Sequence, residues 1–101
     1  MEGMTLLTEE QISKGLKELK GWKKEEGFLV KRFKFRKFMD GIKFVNMVAG
    51  VAERAEHHPD IHIRWTTVTL MIQTHDEGGI TELDLDLARK IEETIKKEAK
   101  S

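Results

Sequence analysis

Residues 57–75, HHPDIHIRWTTVTLMIQTH, carry the reading that decides the fold. Pro59 has no amide hydrogen and pushes the residue before it toward extended geometry, so a helix arriving from upstream stops near His57 and leaves His58 outside it. Beyond the proline, Ile61, Ile63 and Trp65 alternate with His62 and Arg64; then Val68, Leu70 and Ile72 alternate with Thr69, Met71 and Gln73. Alternation with period two predicts two half-buried strands. The turn between them, placed near Trp65 to Thr67, contains no glycine. Because His57, His58 and His75 frame the segment, and imidazoles are the side chains best suited to moving protons near neutral pH, the same stretch is where chemistry is to be sought.

Working outward, residues from about Phe38 to Glu56 have helical spacing. Phe38, Ile42, Val45, Ala49 and Ala52 form one apolar stripe, and Phe44, Val48, Val51 and Ala55 form a second. So broad an apolar surface exceeds what one sheet covers: either part of it packs against another subunit, or two internal neighbours share it. Gly41 and Gly50 cost helix stability and permit close helix approach. Upstream, Gly27 divides a short polar stretch from the aromatic and β-branched run Phe28 to Phe35, which predicts a strand pair. Ahead of it, Thr8 and Gln11 have the form of a capping box, with Leu7 and Ile12 as a hydrophobic staple. Ile12, Leu16 and Leu19 make one apolar stripe, and Gly21 supplies a left-handed stop. Downstream, Gly78 and Gly79 end the last strand and Thr81 starts a helix whose Leu83, Leu87, Ile91 and Ile95 are expected to face the core. The order is α-β-β-α-β-β-α, and hairpin-connected strands with helices banked on one face make an α+β sandwich.

Bulk properties narrow the function classes. The chain of 101 residues fits one domain, residues 1–101, with a modest core. Lys plus Arg and Asp plus Glu balance at 18 each, so a protein built to coat nucleic acid is not expected. There is no cysteine, which removes disulfides, thiolate metal sites and cysteine nucleophiles together. The start lacks the pattern of a secretory signal and no segment approaches a membrane span, so a soluble cytoplasmic protein is expected.

Three features near the histidines carry both a functional and a plain structural reading. Glu53 lies one helical turn before His57, where its carboxylate would hydrogen-bond the imidazole and favour the protonated form, or make an ordinary surface pair. His75 follows an apolar strand, just before two glycines, where a loop exposes a side chain to a ligand, or it is a satisfied strand-end histidine. Asp84 stands three residues after Thr81, so helix capping explains it, and a carboxylate there still reaches a neighbouring donor. No metal is expected from His57, His58, His62, His75 and Asp84: Pro59 interrupts the helix that would put His58 and His62 on one face, and strand parity turns His62 away from Ile61 and Ile63. Ser13 and Ser101 lie far from the histidines, and Gly78 with Gly79 lacks the spacing of a phosphate loop.

The ordered spacing Glu53, three residues, His57-His58-Pro59, five residues, Trp65, nine residues, His75, eight residues, Asp84 resembles the pterin-4a-carbinolamine dehydratases. Trp22, Phe33, Phe35, Phe38, Phe44 and Ala52 upstream, and Thr74, Gly79, Thr81 and Ala88 downstream, extend the likeness over roughly Gly15 to Lys97. The resemblance implies a four-stranded antiparallel sheet with three helices on one face, assembled as a homodimer or homotetramer that would cover the central helix. It also implies the reaction, loss of water from a 4a-hydroxytetrahydropterin to give the quinonoid dihydropterin, with no metal or organic cofactor. A pterin would be the small-molecule substrate, with neither nucleic acid nor membrane as partner.

That chemistry suits the residues. Hydroxide leaves the carbinolamine carbon slowly unless its oxygen is protonated, and a ring nitrogen must lose a proton as the double bond forms, so one acid and one base suffice. By resemblance His57, His58 and His75 line the pterin pocket. His57, prepared by Glu53, and His75 would share the acid and base work while His58 orients the ring; Asp84 would hold an imidazole or a pterin nitrogen, Trp65 would be a supporting wall, and Pro59 shapes the approach. Ile61 stands where some relatives carry Trp, which alters the pocket edge. Mammalian members also bind a homeodomain transcription factor, and nothing in this sequence identifies a surface for that. Other relatives serve as assembly or accessory factors, so the second function class is a non-catalytic binding or assembly protein on the same fold, separable by kinetics.

Overall fold

A computed structural model of the chain describes residues 5–100, with residues 1–4 and 101 of the expected domain lying outside them. The elements are α1 (Glu9–Leu16), β1 (Lys23–Glu25), β2 (Phe28–Lys34), α2 (Phe38–Ala55), β3 (Asp60–Arg64), β4 (Thr67–Ile72) and α3 (Glu82–Lys100), with one turn of 3₁₀ helix at His75–Glu77 before α3. The four strands form one antiparallel sheet in the order β1-β2-β4-β3. Element order and sheet are those the sequence implied.

The β2–β4 register pairs Leu29 with Ile72, Lys31 with Leu70 and Phe33 with Val68, and β3 sets Ile61 against Leu70 and Ile63 against Val68. All of these side chains share one face of the sheet, because successive residues of a strand alternate sides. That face receives the helices: Ile12 from α1, Val48 and Val51 from α2, and Leu85, Leu87, Ala88 and Ile91 from α3 join Leu29, Val68, Leu70 and Ile72 in one buried cluster. Phe44 of α2 stacks against Phe33 and Phe35 at ring separations of 4.5 and 5.2 Å, and Trp22 meets Phe33 edge-on at 6.5 Å. Glu92 Oε2 accepts hydrogen bonds from Trp22 Nε1 at 2.8 Å and Lys31 Nζ at 2.7 Å, tying α3 to the sheet. His62 lies on the opposite face and is exposed, as strand parity predicts.

Local signals were obeyed with instructive exceptions. The capping box of α1 is complete, with Gln11 N donating to Thr8 Oγ1 at 3.1 Å and Thr8 N to Gln11 Oε1 at 2.8 Å. The helix ends at Leu16, earlier than Gly21 suggested; successive turns bridge the gap, with Leu19 N bonded to Leu16 O and Trp22 N to Leu19 O. Gly21, at φ +85°, instead turns the chain into β1. Glu26 and Gly27 both take positive φ, 49° and 84°, as a two-residue hairpin turn requires. On β3–β4 the turn is Trp65–Thr66, where Trp65 itself adopts φ +56° and is 80% exposed. Gly41 brings α2 close to the sheet and not to another helix, since a Cβ there would stand 3.4 Å from both Phe35 and Val68. Leu83, expected in the core, is 37% exposed; the buried side of α3 is centred on Asp84, Leu85, Leu87, Ala88 and Ile91.

Candidate active site

The helix that leads to the histidines ends at Ala55, two residues before the stop near His57 that Pro59 predicted. α2 stops at Ala55 because Glu56 enters the left-handed region at φ +55°, while its amide bonds to the carbonyls of Ala52 and Glu53 and His57 N bonds to Ala52 O at 3.2 Å. The reversal carries His57 off the helical path. Its i−4 spacing to Glu53 therefore loses meaning, and Glu53 is not its partner. Glu53 Oε2 lies 2.6 Å from His58 Nε2 in an exposed pair, and His57 Nε2 lies 2.6 Å from Asp84 Oδ1.

The His57–Asp84 contact is the more enclosed of the two. Asp84 is fully buried and His57 retains 14% side-chain exposure. Asp84 holds this place because it sits in the first turn of α3, where Oδ2 accepts from the backbone amide of Thr81 at 2.7 Å, the closing half of a cap. Leu83 N donates to Thr81 Oγ1 at 3.2 Å. Thr74, two residues past the end of β4, adds its hydroxyl 2.9 Å from Asp84 Oδ2 and 2.7 Å from Thr81 Oγ1. One carboxylate thus caps a helix with one oxygen and holds an imidazole with the other.

In front of this buried network, His57 and Thr74 border an open cleft of about 350 Å³ that is also lined by Glu56, His58, Gln73, His75, Asp76 and Leu83. The three histidines expected to act together do share it. His75 is exposed on the 3₁₀ turn, with Phe28 edge-on to its ring at 6.4 Å. Gln73 Nε2 donates to Gly27 O at 3.1 Å, so the β1–β2 turn is braced against the cleft. Sequence reasoning missed Phe28 and Gln73 as neighbours of the site; their contacts span 47 and 46 residues, and no local pattern announces them. Trp65 is not brought to the cleft, because the β3–β4 hairpin runs away from it and Trp65 occupies the far turn. Pro59 is half-buried between the cleft and β3. Among the described residues no group of three or more His, Cys, Asp or Glu side chains is arranged to hold a metal ion. What the cleft offers chemically is three imidazoles, one anchored to a buried carboxylate and two open to solvent, an arrangement able to give and take protons at two points of one bound molecule.

The chain is similar to known proteins over most of its length. Residues 5–94 match the family described as Pterin 4 alpha carbinolamine dehydratase. A protein of Mycobacterium sp. (strain JLS) is 51% identical over 92 residues, covering 91% of this chain and 98% of its own. One from Metallosphaera sedula is 46% identical over 93 residues, covering 92% and 97%; both carry the name "Putative pterin-4-alpha-carbinolamine dehydratase". Among solved structures, a transcriptional coactivator/pterin dehydratase from Brucella melitensis superposes with a TM-score of 0.81 at 34% identity, over 87% of this chain and 96% of that one. A pterin dehydratase-like RuBisCO assembly factor of the alpha-carboxysome gives a TM-score of 0.56 at 21% identity, over 69% of this chain and 81% of that one, and shares the fold alone.

Proposed function

The chain belongs to the pterin 4 alpha carbinolamine dehydratase family, and on that premise we propose that it converts a 4a-hydroxytetrahydropterin to the quinonoid dihydropterin by acid and base catalysis from its own histidines. The observation that carries this reading is His57 Nε2 held 2.6 Å from the buried Asp84 Oδ1, on the wall of a cleft shared with His58 and His75.

The reaction balances without any further reactant. The bond from the 4a carbon to its hydroxyl breaks, the electron pair leaves with oxygen, and that oxygen takes a proton and departs as water. The neighbouring ring nitrogen gives its proton to a base, and its electrons form the new C=N bond. In this proposal His57 and His75 do the acid and base work from two sides of the cleft. His58, paired with Glu53, binds and orients the ring. Asp84 holds His57 in place, and Glu53 does not meet it. A positioned imidazole contributes a factor of about 10² to 10⁴ to such a transfer.

Replacing His75 by Ala, at an exposed position that leaves the core untouched, is expected to remove most of the rate enhancement in a stopped-flow assay of 4a-hydroxytetrahydropterin dehydration. An unchanged rate would exclude His75 from the chemistry. No helix among the described residues is long and apolar enough to cross a membrane, and the proposed setting is the cytoplasm. The proposal includes a homodimer or homotetramer, supported by the exposed apolar residues Phe38 and Met39 at the start of α2.

A further inference from the structure

Four hydrogen bonds behind His57 have a direction that can be worked out from which groups are able to donate. The backbone amide of Leu83 can only donate, so Thr81 Oγ1 accepts from it at 3.2 Å. Thr74 Oγ1 has one proton, and Asp84 Oδ2, 2.9 Å away, takes it when the carboxylate is ionised, since such an oxygen can only accept. The 2.7 Å contact between the two hydroxyls then has one solution: Thr81 donates and Thr74 accepts. The result is a one-way chain, Leu83 N–H to Thr81 O–H to Thr74 O–H to Asp84 Oδ2, with each bond polarising the next. Thr81 N–H brings a second donor to Oδ2 at 2.7 Å. Among the described residues, Oδ1 is left for His57 alone.

The consequence reaches the cleft. An ionised Asp84 accepts at Oδ1, so the proton of the 2.6 Å contact resides on His57 Nε2. The other ring nitrogen, Nδ1, makes no hydrogen bond among the described residues, and none of their buried side-chain nitrogen or oxygen atoms lacks a partner. In a half-buried residue that lines the cleft, Nδ1 is therefore the nitrogen that meets solvent.

We propose that Thr74 and Thr81 are positioning residues that orient the Asp84 carboxylate so as to hold neutral His57 in the Nε2–H tautomer and present Nδ1 as the atom that exchanges protons with the bound molecule. The inference rests on the dehydratase reading for its catalytic meaning and on the hydrogen-bond chain for the tautomer. Thr74 borders the cleft and Thr81 does not, and the Thr74 hydroxyl is engaged with Asp84 and Thr81, so that both threonines act through Asp84.

The test begins with the unaltered protein. Long-range ¹H–¹⁵N correlation spectra, with His57 assigned by comparison with His57→Gln, report which ring nitrogen carries the proton. The Nε2–H form is expected at pH values where the ring is neutral. Thr74→Val keeps the shape and removes the hydroxyl; it is expected to mix the tautomers and lower kcat about tenfold or more with KM little changed, while Thr74→Ser restores both. The Nδ1–H form in the unaltered protein overturns the inference, and so does a Thr74→Val protein with unchanged tautomer and kcat. An unaltered protein that shows the Nε2–H form but no dehydratase activity defeats the reaction reading while supporting the hydrogen-bond chain, so the two failures are distinguishable.

Discussion

Asp84 divides its work between two oxygens, Oδ2 closing the first turn of α3 and Oδ1 holding His57. Substitution can separate the tasks. Asp84→Asn preserves the volume but removes the charge and one accepting site, and is expected to lower kcat by a factor of about 10² or more with a smaller change in KM, measured under saturating substrate. Glu53→Gln, by contrast, breaks only an exposed pair with His58; it is expected to change stability by less than about 1 kcal/mol and to act on KM before kcat. Equal losses of kcat in the two variants would contradict this division. Helical spacing pointed to Glu53 as the carboxylate beside His57, whereas the structure pairs Glu53 with His58 and sets Asp84, expected to hold an imidazole or a pterin nitrogen, against His57. Spacing along a helix presupposes that the helix continues, and Glu56 in the left-handed region ends it without a glycine to announce the fact.

At the scale of elements, the β3–β4 hairpin carries an avoidable cost. Trp65 occupies its turn at φ +56°, a conformation that costs a side chain with a Cβ about 1–2 kcal/mol, and at 80% exposure the indole recovers little by packing. Glycine removes that strain and in return loses about 0.4–1 kcal/mol to greater freedom of the unfolded chain. Trp65→Gly is therefore expected to stabilise the protein by about 0.5–1 kcal/mol in denaturant titration, with dehydratase activity intact because Trp65 lies away from the cleft. Loss of activity in a well-folded Trp65→Gly protein would show that the residue reaches a site after all. The alternating residues of both strands made the hairpin legible in advance. Its turn was harder to read because tertiary pairing of Ile61 with Leu70 and Ile63 with Val68 sets the register there, overriding the preference for glycine.

Across the whole molecule, the order of elements and the shared core followed from periodicity, because each helix and strand shows its apolar positions in its own sequence. The rotation of α3 did not: Leu83, Leu85 and Leu87 are all apolar, and only packing against the sheet selects Leu85 and Leu87 for the core while leaving Leu83 beside the cleft. The sequence left open whether a second subunit or internal neighbours cover the apolar surface of α2; Ala52 of its first stripe is buried, while Phe38 remains 47% and the neighbouring Met39 56% exposed. Burying such side chains yields about 25 cal/mol for each Å² of apolar surface removed from water. Light scattering at micromolar concentration is accordingly expected to give a mass two or four times the 11.7 kDa of one chain; a monomer throughout that range would leave the exposed stripe without its proposed role.

The measurement that tests the central claim most directly is the rate of 4a-hydroxytetrahydropterin dehydration with and without the protein, since the uncatalysed reaction also proceeds and the difference alone is informative. Acceleration that His75→Ala abolishes while the fold is retained is the predicted result. No acceleration by a folded protein with His57, His58 and His75 intact would contradict the dehydratase reading and favour a binding or assembly role on the same fold.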